Sequence, residues 1–167
     1  MMFWSRALLA QEQAFVAEHF GGALQRMQPQ LRLYVRRVGD CRRALSLNGG
    51  RISLPRAFFK QHDPRQPLRL EHPQVAAIFA HELLHQWQRL HGRAVTREAL
   101  GLQLQAICLR RNPYHYPRAV TAEAMLACFL RSSVEQQGQM WEDYVQAAVQ
   151  GEYLPCMELV ASHVRGA

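Results

Sequence analysis

The sequence predicts an α+β protein that is mostly helical and in which a small antiparallel sheet precedes a central helix. Residues 73–91 carry apolar side chains at three- and four-residue steps, the period of a helix packed against a core. Residues 31–38 instead alternate apolar and polar side chains, the pattern of a half-buried strand. Asn48-Gly49-Gly50 then indicates a hairpin. Because 167 residues can bury one substantial core, we predict a single domain over residues 1–167.

The other elements follow from the same periods and from helix-stopping residues. Residues 3–28 have helical spacing, so we predict one helix that Pro29 terminates. Strands are predicted at 31–38, 43–47 and 51–54, and a proline-rich loop at 61–73. After the central helix we predict helices over 96–110, 121–150 and 155–164. We expect Thr96 and Glu98 to cap the first of these, and the second to divide near Ser132-Ser133.

The composition narrows the class of protein. The net charge is +7, but the basic residues are scattered in pairs such as Arg36-Arg37 and Arg42-Arg43, which disfavours nucleic-acid binding. No apolar run approaches the roughly 20 residues of a membrane span, and the N-terminus lacks the pattern of a cleaved signal. The four cysteines form no C-x-x-C, which favours a reducing compartment. We therefore expect a cytoplasmic protein, or one exported without a cleaved signal peptide.

The most informative stretch is His81-Glu82-Leu83-Leu84-His85, an H-E-x-x-H motif within the central helix. Residues four apart share a helical face, so His81 and His85 can direct two imidazoles at one point. Zn²⁺ takes neutral histidine nitrogens at roughly 2.0–2.1 Å. Glu82 follows the first histidine and can reach a water activated by the metal. The motif predicts Zn²⁺ as cofactor, His81 and His85 as ligands, and Glu82 as the general base of a metallopeptidase.

A catalytic zinc site needs a third protein ligand, and two residues compete for that place. The spacing to His91 matches H-E-x-x-H-x-x-G-x-x-H, but Gln88 occupies the glycine position at which the chain would bend. Glu135 lies on a later predicted helix, which Ser132 or Ser133 can cap, and would complete a His₂Glu site. We favour Glu135. The residues that remain as alternatives are His91, Glu123, Glu142 and Asp143.

HELLHQWQ and the later VEQQGQMWEDYV together resemble the small zincin-type metallopeptidases called Vgr-related, found beside type VI secretion genes in bacteria. The matching positions are His81, Glu82, His85, Gln88, Tyr114, Tyr116, Glu135, Gln136 and Gln137. The resemblance covers residues 10–147 and implies a zincin-like fold of the gluzincin type, with Glu135 as third zinc ligand. It also implies a peptide or protein substrate and a VgrG-type secretion-apparatus partner. Gly138 stands where the group usually has alanine, and we expect this difference to leave the metal unaffected.

Two alternatives to a secretion-linked peptidase stay open. The stretch VGDCRRALSLNGGRISLPRAFF followed by HELLH is similar to SprT-like proteases, which cut proteins crosslinked to DNA. Those use a third histidine downstream of the second, and this chain has none between His91 and His115. The other alternative is a non-catalytic zincin-like adaptor or effector domain of a secretion apparatus. An intact Glu82 favours catalysis over that reading, because a structural metal site needs no base.

Two further features are candidates for substrate contact. In the loop Tyr114-His115-Tyr116, a tyrosine or the histidine could hold the developing oxyanion; the alternative is aromatic packing over the core. The edge of the predicted sheet could pair with extended substrate backbone, or it could serve only as scaffold.

Overall fold

The computed structural model describes residues 4–36, 41–109 and 112–166, in which helices predominate over a small sheet. The strands are β1 (Ser5–Ala7), β2 (Arg32–Val35), β3 (Leu45–Leu47) and β4 (Arg51–Leu54). The helices are α1 (Ala10–Gln25), α2 (Pro73–Leu90), α3 (Val95–Leu109), α4 (Ala122–Arg131), α5 (Val134–Val149) and α6 (Glu158–Arg165). Single 3₁₀ turns cover Gln28–Gln30, Arg56–Phe58, Lys60–His62 and Pro155–Met157. The predicted class, α+β and mostly helical, is confirmed.

The N-terminal segment differs from the single helix predicted over 3–28. Ser5–Ala7 forms β1, which pairs antiparallel with β2, and α1 begins only at Ala10. The reason is the buried carboxylate of Glu12, which accepts hydrogen bonds from the Leu9 N–H at 2.8 Å and from both Nη atoms of Arg6 at 2.6 Å. These contacts hold the chain extended as far as Leu9 and satisfy a free N–H at the helix start.

The end of α1 also comes earlier than predicted. The helix stops at Gln25, and Pro29 lies in the following 3₁₀ turn. Within α1, Gly21 adopts a φ of 52°, and a Cβ there would lie 2.8 Å from the carbonyl oxygen of Arg165. Glycine at this position therefore bends α1 and lets the end of α6 approach it.

The sheet is mixed rather than antiparallel, which corrects the prediction. Its order is β1-β2-β4-β3, in which β2 and β4 are parallel and the two outer pairs are antiparallel. The predicted hairpin does join β3 to β4, but β4 lies beside β2. Gly50 holds it there, since its carbonyl accepts the Arg32 N–H at 2.9 Å and a Cβ on Gly50 would meet the Gln30 oxygen at 2.6 Å. Alternation decides which face a side chain takes but not which strand is its neighbour.

Strand lengths are close to those predicted, with shorter first and second strands. The segment predicted at 31–38 is observed as β2, Arg32–Val35, and its last two residues lie outside the described part of the chain. The segment predicted at 43–47 is observed as β3, and 51–54 is confirmed as β4. In the strand order, β3 lies at one edge of the sheet, next to β4.

The helices after the sheet agree with the prediction. In α2, Pro73 takes the first position, and Gly92 follows the last turn with a φ of 78°. α4 and α5 divide at Ser132-Ser133. Ser133 Oγ accepts the Gln136 N–H at 3.3 Å while Gln136 Oε1 accepts the Ser133 N–H at 3.0 Å, a capping box that starts α5.

One predicted cap is displaced. α3 begins at Val95, so Thr96 lies inside the helix instead of capping it. Glu98 lies in the first turn, where its carboxylate pairs with Arg93 at 2.6 Å. No helix of the described residues is long and apolar enough to span a membrane.

The core is centred on α2, which makes its most extensive helix contact with α5. Nearly every residue of α2 from Val75 to Gln88 is buried, including five polar side chains: His81, Glu82, His85, Gln86 and Gln88. Buried polar groups without partners cost a few kcal/mol each, on the order of 2–7. The contacts that these five groups make therefore define the functional centre of the molecule.

Candidate metal centre

The packing of α2 against α5 brings three potential ligands to one point. Glu135, in the first turn of α5, directs its Oε2 at His81 Nε2, 3.4 Å away, and at His85 Nε2, 3.7 Å away. The ligand atoms of this group all lie within 4.8 Å of one another, and all three residues are buried. The group His81, His85 and Glu135 could hold a metal ion.

The spacing of these atoms fits a shared cation better than hydrogen bonds. Ligand atoms that lie roughly 2.0–2.1 Å from one tetrahedral ion are about 3.3–3.4 Å apart. The observed 3.4 and 3.7 Å separations are close to this value. They are longer than the roughly 2.7–3.2 Å of ordinary N–H···O hydrogen bonds. The donor set, two imidazoles and one carboxylate, is one that zinc and similar ions accept.

The opposite ring nitrogen of each histidine has its own acceptor. His81 Nδ1 lies 2.9 Å from Glu142 Oε2, and His85 Nδ1 lies 2.8 Å from Gln88 Oε1. Each Nδ1 therefore carries the proton, which leaves Nε2 available to a cation. Glu142, weighed as a third ligand from the sequence, instead accepts a hydrogen bond from a candidate ligand.

Gln88 extends the support of His85 into the core. Its Nε2 donates to the Val134 carbonyl at 3.0 Å and to Gln137 Oε1 at 2.8 Å. Gln137 Nε2 in turn donates to the Phe129 carbonyl at 2.7 Å. This buried amide chain satisfies every polar atom along it and ties the ring of His85 to α4 and α5.

Gly138 packs against the His81 ring, and its effect on the metal, which we expected to be absent, stays a prediction to be tested. A Cβ at this position would lie 2.6 Å from His81 Cε1 and 2.7 Å from His81 Nε2. The His81 ring is buried and held by Glu142, so it cannot simply turn away. A glycine in a helix interior costs about 1 kcal/mol relative to alanine. Here it leaves room for the imidazole against the α5 backbone.

Charges within the group shift two pKa values in opposite directions. Burial lowers the pKa of His81, but the neighbouring carboxylates of Glu135 and Glu142 outweigh burial and raise it to about 10. Burial raises the pKa of Glu135, but the neighbouring imidazoles of His81 and His85 outweigh it and hold the value well below the ordinary range. Without a cation, the group is therefore stabilised by a proton on His81 that a metal ion would displace.

Glu82 lies beside the ligand group, with its carboxylate buried. Burial raises its pKa, and the nearby charges of His81 and His85 oppose this shift only in part. The Ser46 backbone lies near the carboxylate and opposes the shift to a smaller extent. Glu82 is thus a carboxylate in a low-dielectric position, close to β3.

Arg89 and Gln86 complete the contact between α2 and β3. Arg89 Nη1 and Gln86 Nε2 donate to Ser46 Oγ at 2.8 and 2.7 Å, and Arg89 Nη2 donates to the Ser46 carbonyl at 3.0 Å. The hydroxyl and the carbonyl of Ser46 both accept from α2 side chains. At Ser46, β3 therefore serves as scaffold for α2, and a substrate strand could not pair there without displacing these contacts.

Sequence reasoning missed Ser46, Gln86 and Arg89. The sequence could have indicated Gln86 and Arg89, because each is polar at a position of α2 where the helix period predicts burial or contact with the sheet. Ser46 is the single inward residue of β3, with exposed leucines on both sides. Its partner on another element is not visible from the sequence.

Several other candidates for the third ligand lie elsewhere. His91 caps the end of α2, where its Nδ1 lies 2.8 Å from the Trp87 carbonyl oxygen and its ring stacks on Trp87 at 4.1 Å. Glu123 is exposed on α4. Asp143 accepts the Tyr116 hydroxyl. None of these belongs to the group, found among the described residues, that could hold a metal ion.

A cleft of about 420 Å³ opens on the ligand group and on Glu82. Of the three candidate oxyanion-binding residues, only Tyr114 lines it, with its ring centroid 6.4 Å from that of His81. Burial and the charge of Glu135 raise the pKa of Tyr114. Tyr116 is tied to Asp143 away from the cleft, and His115 is exposed in a separate crevice.

Fold and site together define an α+β protein with a buried His-His-Glu group that could hold a metal ion. No protein-family model and no curated protein matches the sequence. Among solved structures, the chain is similar to the effector domain of Pseudomonas aeruginosa VgrG2b, with a TM-score of 0.65 and 21% identity. The match covers 95% of this chain and 80% of that one. At this level of identity the likeness concerns the fold.

Proposed function

We propose that this chain is a zincin-like, zinc-dependent peptidase in which His81, His85 and Glu135 bind the metal and Glu82 is the general base. The observation that carries the proposal is the convergence of the three ligand atoms within 4.8 Å at the bottom of a cleft that also contains Glu82. The cleft gives a substrate access to a centre that is otherwise buried.

When bound, zinc would polarise a substrate carbonyl and lower the pKa of a water toward roughly 7. Once the extra proton on His81 is lost, both rings offer Nε2, because Glu142 and Gln88 accept from their Nδ1 atoms. Glu135 would supply the negative ligand. Packing fixes all three residues and hydrogen bonds orient the two histidine rings, so little reorganisation is needed on binding.

Glu82 accepts the proton of the attacking water and passes it to the leaving amide nitrogen. Its raised pKa suits this role, since a general base works best when its pKa approaches the working pH. Arg89 places a positive charge near this carboxylate.

Tyr114 is the proposed donor to the oxyanion that develops on the scissile carbonyl. Its hydroxyl accepts a hydrogen bond from Arg43 Nη2 at 3.2 Å, which leaves its own O–H free to donate into the cleft. Tyr114→Phe should lower kcat about 10- to 100-fold without loss of zinc. This loss reaches the lower end of the range known for removal of one oxyanion donor. An unchanged kcat would remove this role.

The likeness to an effector domain of VgrG2b, together with the H-E-x-x-H-x-x-Q and E-Q-Q motifs, supports a link to bacterial type VI secretion. The proposed partner is a VgrG-type protein of the apparatus, and the proposed substrate is a peptide or protein. Such a chain would be made in the cytoplasm and exported with the apparatus.

The first test is zinc content per chain in the purified protein and three variants. His85→Ala and Glu135→Ala should lose zinc, since each removes one of three ligands. His91→Ala should retain it, because His91 stacks on Trp87 away from the group. Zinc lost with His91→Ala and kept with Glu135→Ala would replace the proposed ligand set with three histidines. Zinc absent from the parent protein would refute the site.

A second test separates a peptidase from the alternative, a non-catalytic adaptor or effector domain. Glu82→Gln should keep zinc and lose hydrolysis of a peptide mixture, because the amide cannot accept the proton. An adaptor would keep its secretion-related function with the same change. A DNA-associated SprT-like activity would require crosslinked DNA for cleavage, which addition or omission of DNA tests directly.

A further inference from the structure

The cleft above the metal-binding group is rich in arginine. Arg36, Arg43 and Arg89 line it, whereas the carboxylates among its lining residues are Glu82 and Glu135. Both carboxylates already have functions in the proposed site. A bound divalent cation would add two further positive charges. The cleft thus presents an excess of positive charge to whatever enters it.

Two of these arginines contact only neutral oxygens in the hydrogen bonds of the described residues. Arg43 Nη2 donates to the Tyr114 hydroxyl, and the two Nη atoms of Arg89 donate to Ser46. The Nε of Arg89 is buried and has no hydrogen-bond partner among the described residues. A guanidinium has five N–H donors, so both residues retain donors for an incoming acceptor.

The positions of the two arginines suggest different contributions. Arg43 is exposed and its bond to Tyr114 links the segment before β3 to the aromatic loop, next to the metal-binding group. Arg89 is half-buried one turn beyond His85 and close enough to Glu82 for their charges to interact. Arg43 is therefore placed to contact a substrate side chain, and Arg89 to strengthen the positive potential behind it.

We propose that the substrate carries an acidic side chain next to the scissile bond and that Arg43, supported by Arg89, binds its carboxylate. This inference rests on the proposed peptidase function and specifies its substrate class. Guanidinium–carboxylate hydrogen bonds are about twice as strong as neutral ones. A glutamine or lysine at the same substrate position lacks the matching charge.

The test first uses cleavage of a randomised peptide mixture by the zinc-loaded protein, with cut sites read by mass spectrometry. Aspartate and glutamate should be enriched at one position beside the cut. In purified peptides, Glu at that position should give a kcat/KM about 10- to 100-fold above Gln, the factor expected for a charged hydrogen bond. Cleavage without any preference for acidic residues would overturn the inference and leave the peptidase function intact.

Charge reversal identifies the residue responsible. Arg43→Glu should reverse the preference from Glu to Lys at that position, whereas Arg26→Glu should not. Arg26 is a matched control because it makes the same charge change in a different crevice, beside α1 and α6. If both variants reduce the preference equally, overall charge and not Arg43 is responsible, and the inference fails.

A binding measurement keeps the inference testable even if no peptide is cut. Zinc-loaded Glu82→Gln is titrated into fluorescein-labelled octapeptides that differ at one central residue, Glu, Gln or Lys, and anisotropy is recorded. Tighter binding of the Glu peptide, lost in Glu82→Gln with Arg43→Glu, supports the inference independently of catalysis. Equal binding of the three peptides contradicts it. Single-stranded DNA that displaces the Glu peptide at equal concentration would also contradict it, because the cleft would then favour nucleic acid.

Discussion

His81 and His85 present the same nitrogen to the same point, but the groups behind their rings differ in charge and exposure. His85 is held by the amide chain of Gln88 and Gln137, which is neutral and buried. His81 is held by the carboxylate of Glu142, whose side chain is 23% exposed, and it packs against the bare backbone at Gly138. The difference indicates that His85, with its amide partners, ties the site to the core. His81, with Glu142, sets the charge of the site.

The two histidines, each with its own partners, should consequently respond to different substitutions. A buried amide network loses stability when one member is removed, because its remaining polar atoms are left without partners. A carboxylate at the margin of the site acts mainly on protonation and on ligand basicity. The following changes test this division, beginning with the largest expected effect.

Gly138→Ala should weaken zinc binding by about 100-fold or more, since a Cβ within 2.6 Å of His81 Cε1 must displace a ligand ring. The stability of the metal-free protein should fall much less, because alanine favours the helix by about 1 kcal/mol. Affinity is measured by competition with a chromophoric chelator. Gly101→Ala in α3 is the control, since a Cβ there meets nothing within 4 Å. Unchanged affinity in Gly138→Ala would show that the ring does not need this space.

Gln88→Leu should lower the free energy of unfolding by about 3 kcal/mol and weaken zinc binding about 10- to 100-fold. The change leaves His85 Nδ1, the Val134 carbonyl and Gln137 Oε1 without their buried partner. Denaturant unfolding of the metal-free protein measures the first effect. Gln139→Leu, on the half-exposed side of α5, should cost well under 1 kcal/mol as a surface substitution. Equal losses in the two variants would argue against the special role of the amide chain.

Zinc binding should release about one proton and should tighten about tenfold for each unit of rising pH between 7 and 9. The proton comes from His81, whose pKa of about 10 keeps it protonated in the metal-free protein over this range. Calorimetric titration in buffers of different ionisation enthalpy measures the released proton. Binding without proton release would contradict the raised pKa.

The same protonation has a consequence for stability. A histidine whose pKa is raised on folding stabilises the folded state fully below its ordinary pKa near 6.5. That contribution is lost as pH rises toward about 10. The metal-free protein should therefore lose stability between these values, and the zinc-bound protein should lose less because the metal replaces the proton.

Glu142→Gln should have the smallest effect, a loss of zinc affinity of up to about tenfold. The amide oxygen can still accept from His81 Nδ1, and solvent at this exposed margin compensates part of the lost charge. Removal of the carboxylate should also lower the pKa of His81, which NMR titration of the metal-free protein detects. An unchanged pKa would assign the shift to Glu135 and Glu82.

Much of the fold could be predicted from short-range patterns. The bounds of α2, the break between α4 and α5, and the hairpin at Asn48-Gly49-Gly50 all depend on residues within a few positions of one another. Two predictions were wrong where distant contacts decide. Pairing with β2 holds β1 extended, and the contact of Gly50 with Arg32 seats β4 beside β2. In both cases the partners lie far apart along the chain.

The same division applies to the site. The sequence by itself determined that His81 and His85 share a helical face, because four residues of α-helix return a side chain to the same side. It also limited the third ligand to a few residues. Only the tertiary structure decided that Glu135 meets them, that Gly138 leaves room for the His81 ring, and that Ser46 joins β3 to Gln86 and Arg89. Those contacts arise from the packing of α2 against α5 and β3, and burial in a shared core, unlike helix geometry, depends on residues far apart in the chain.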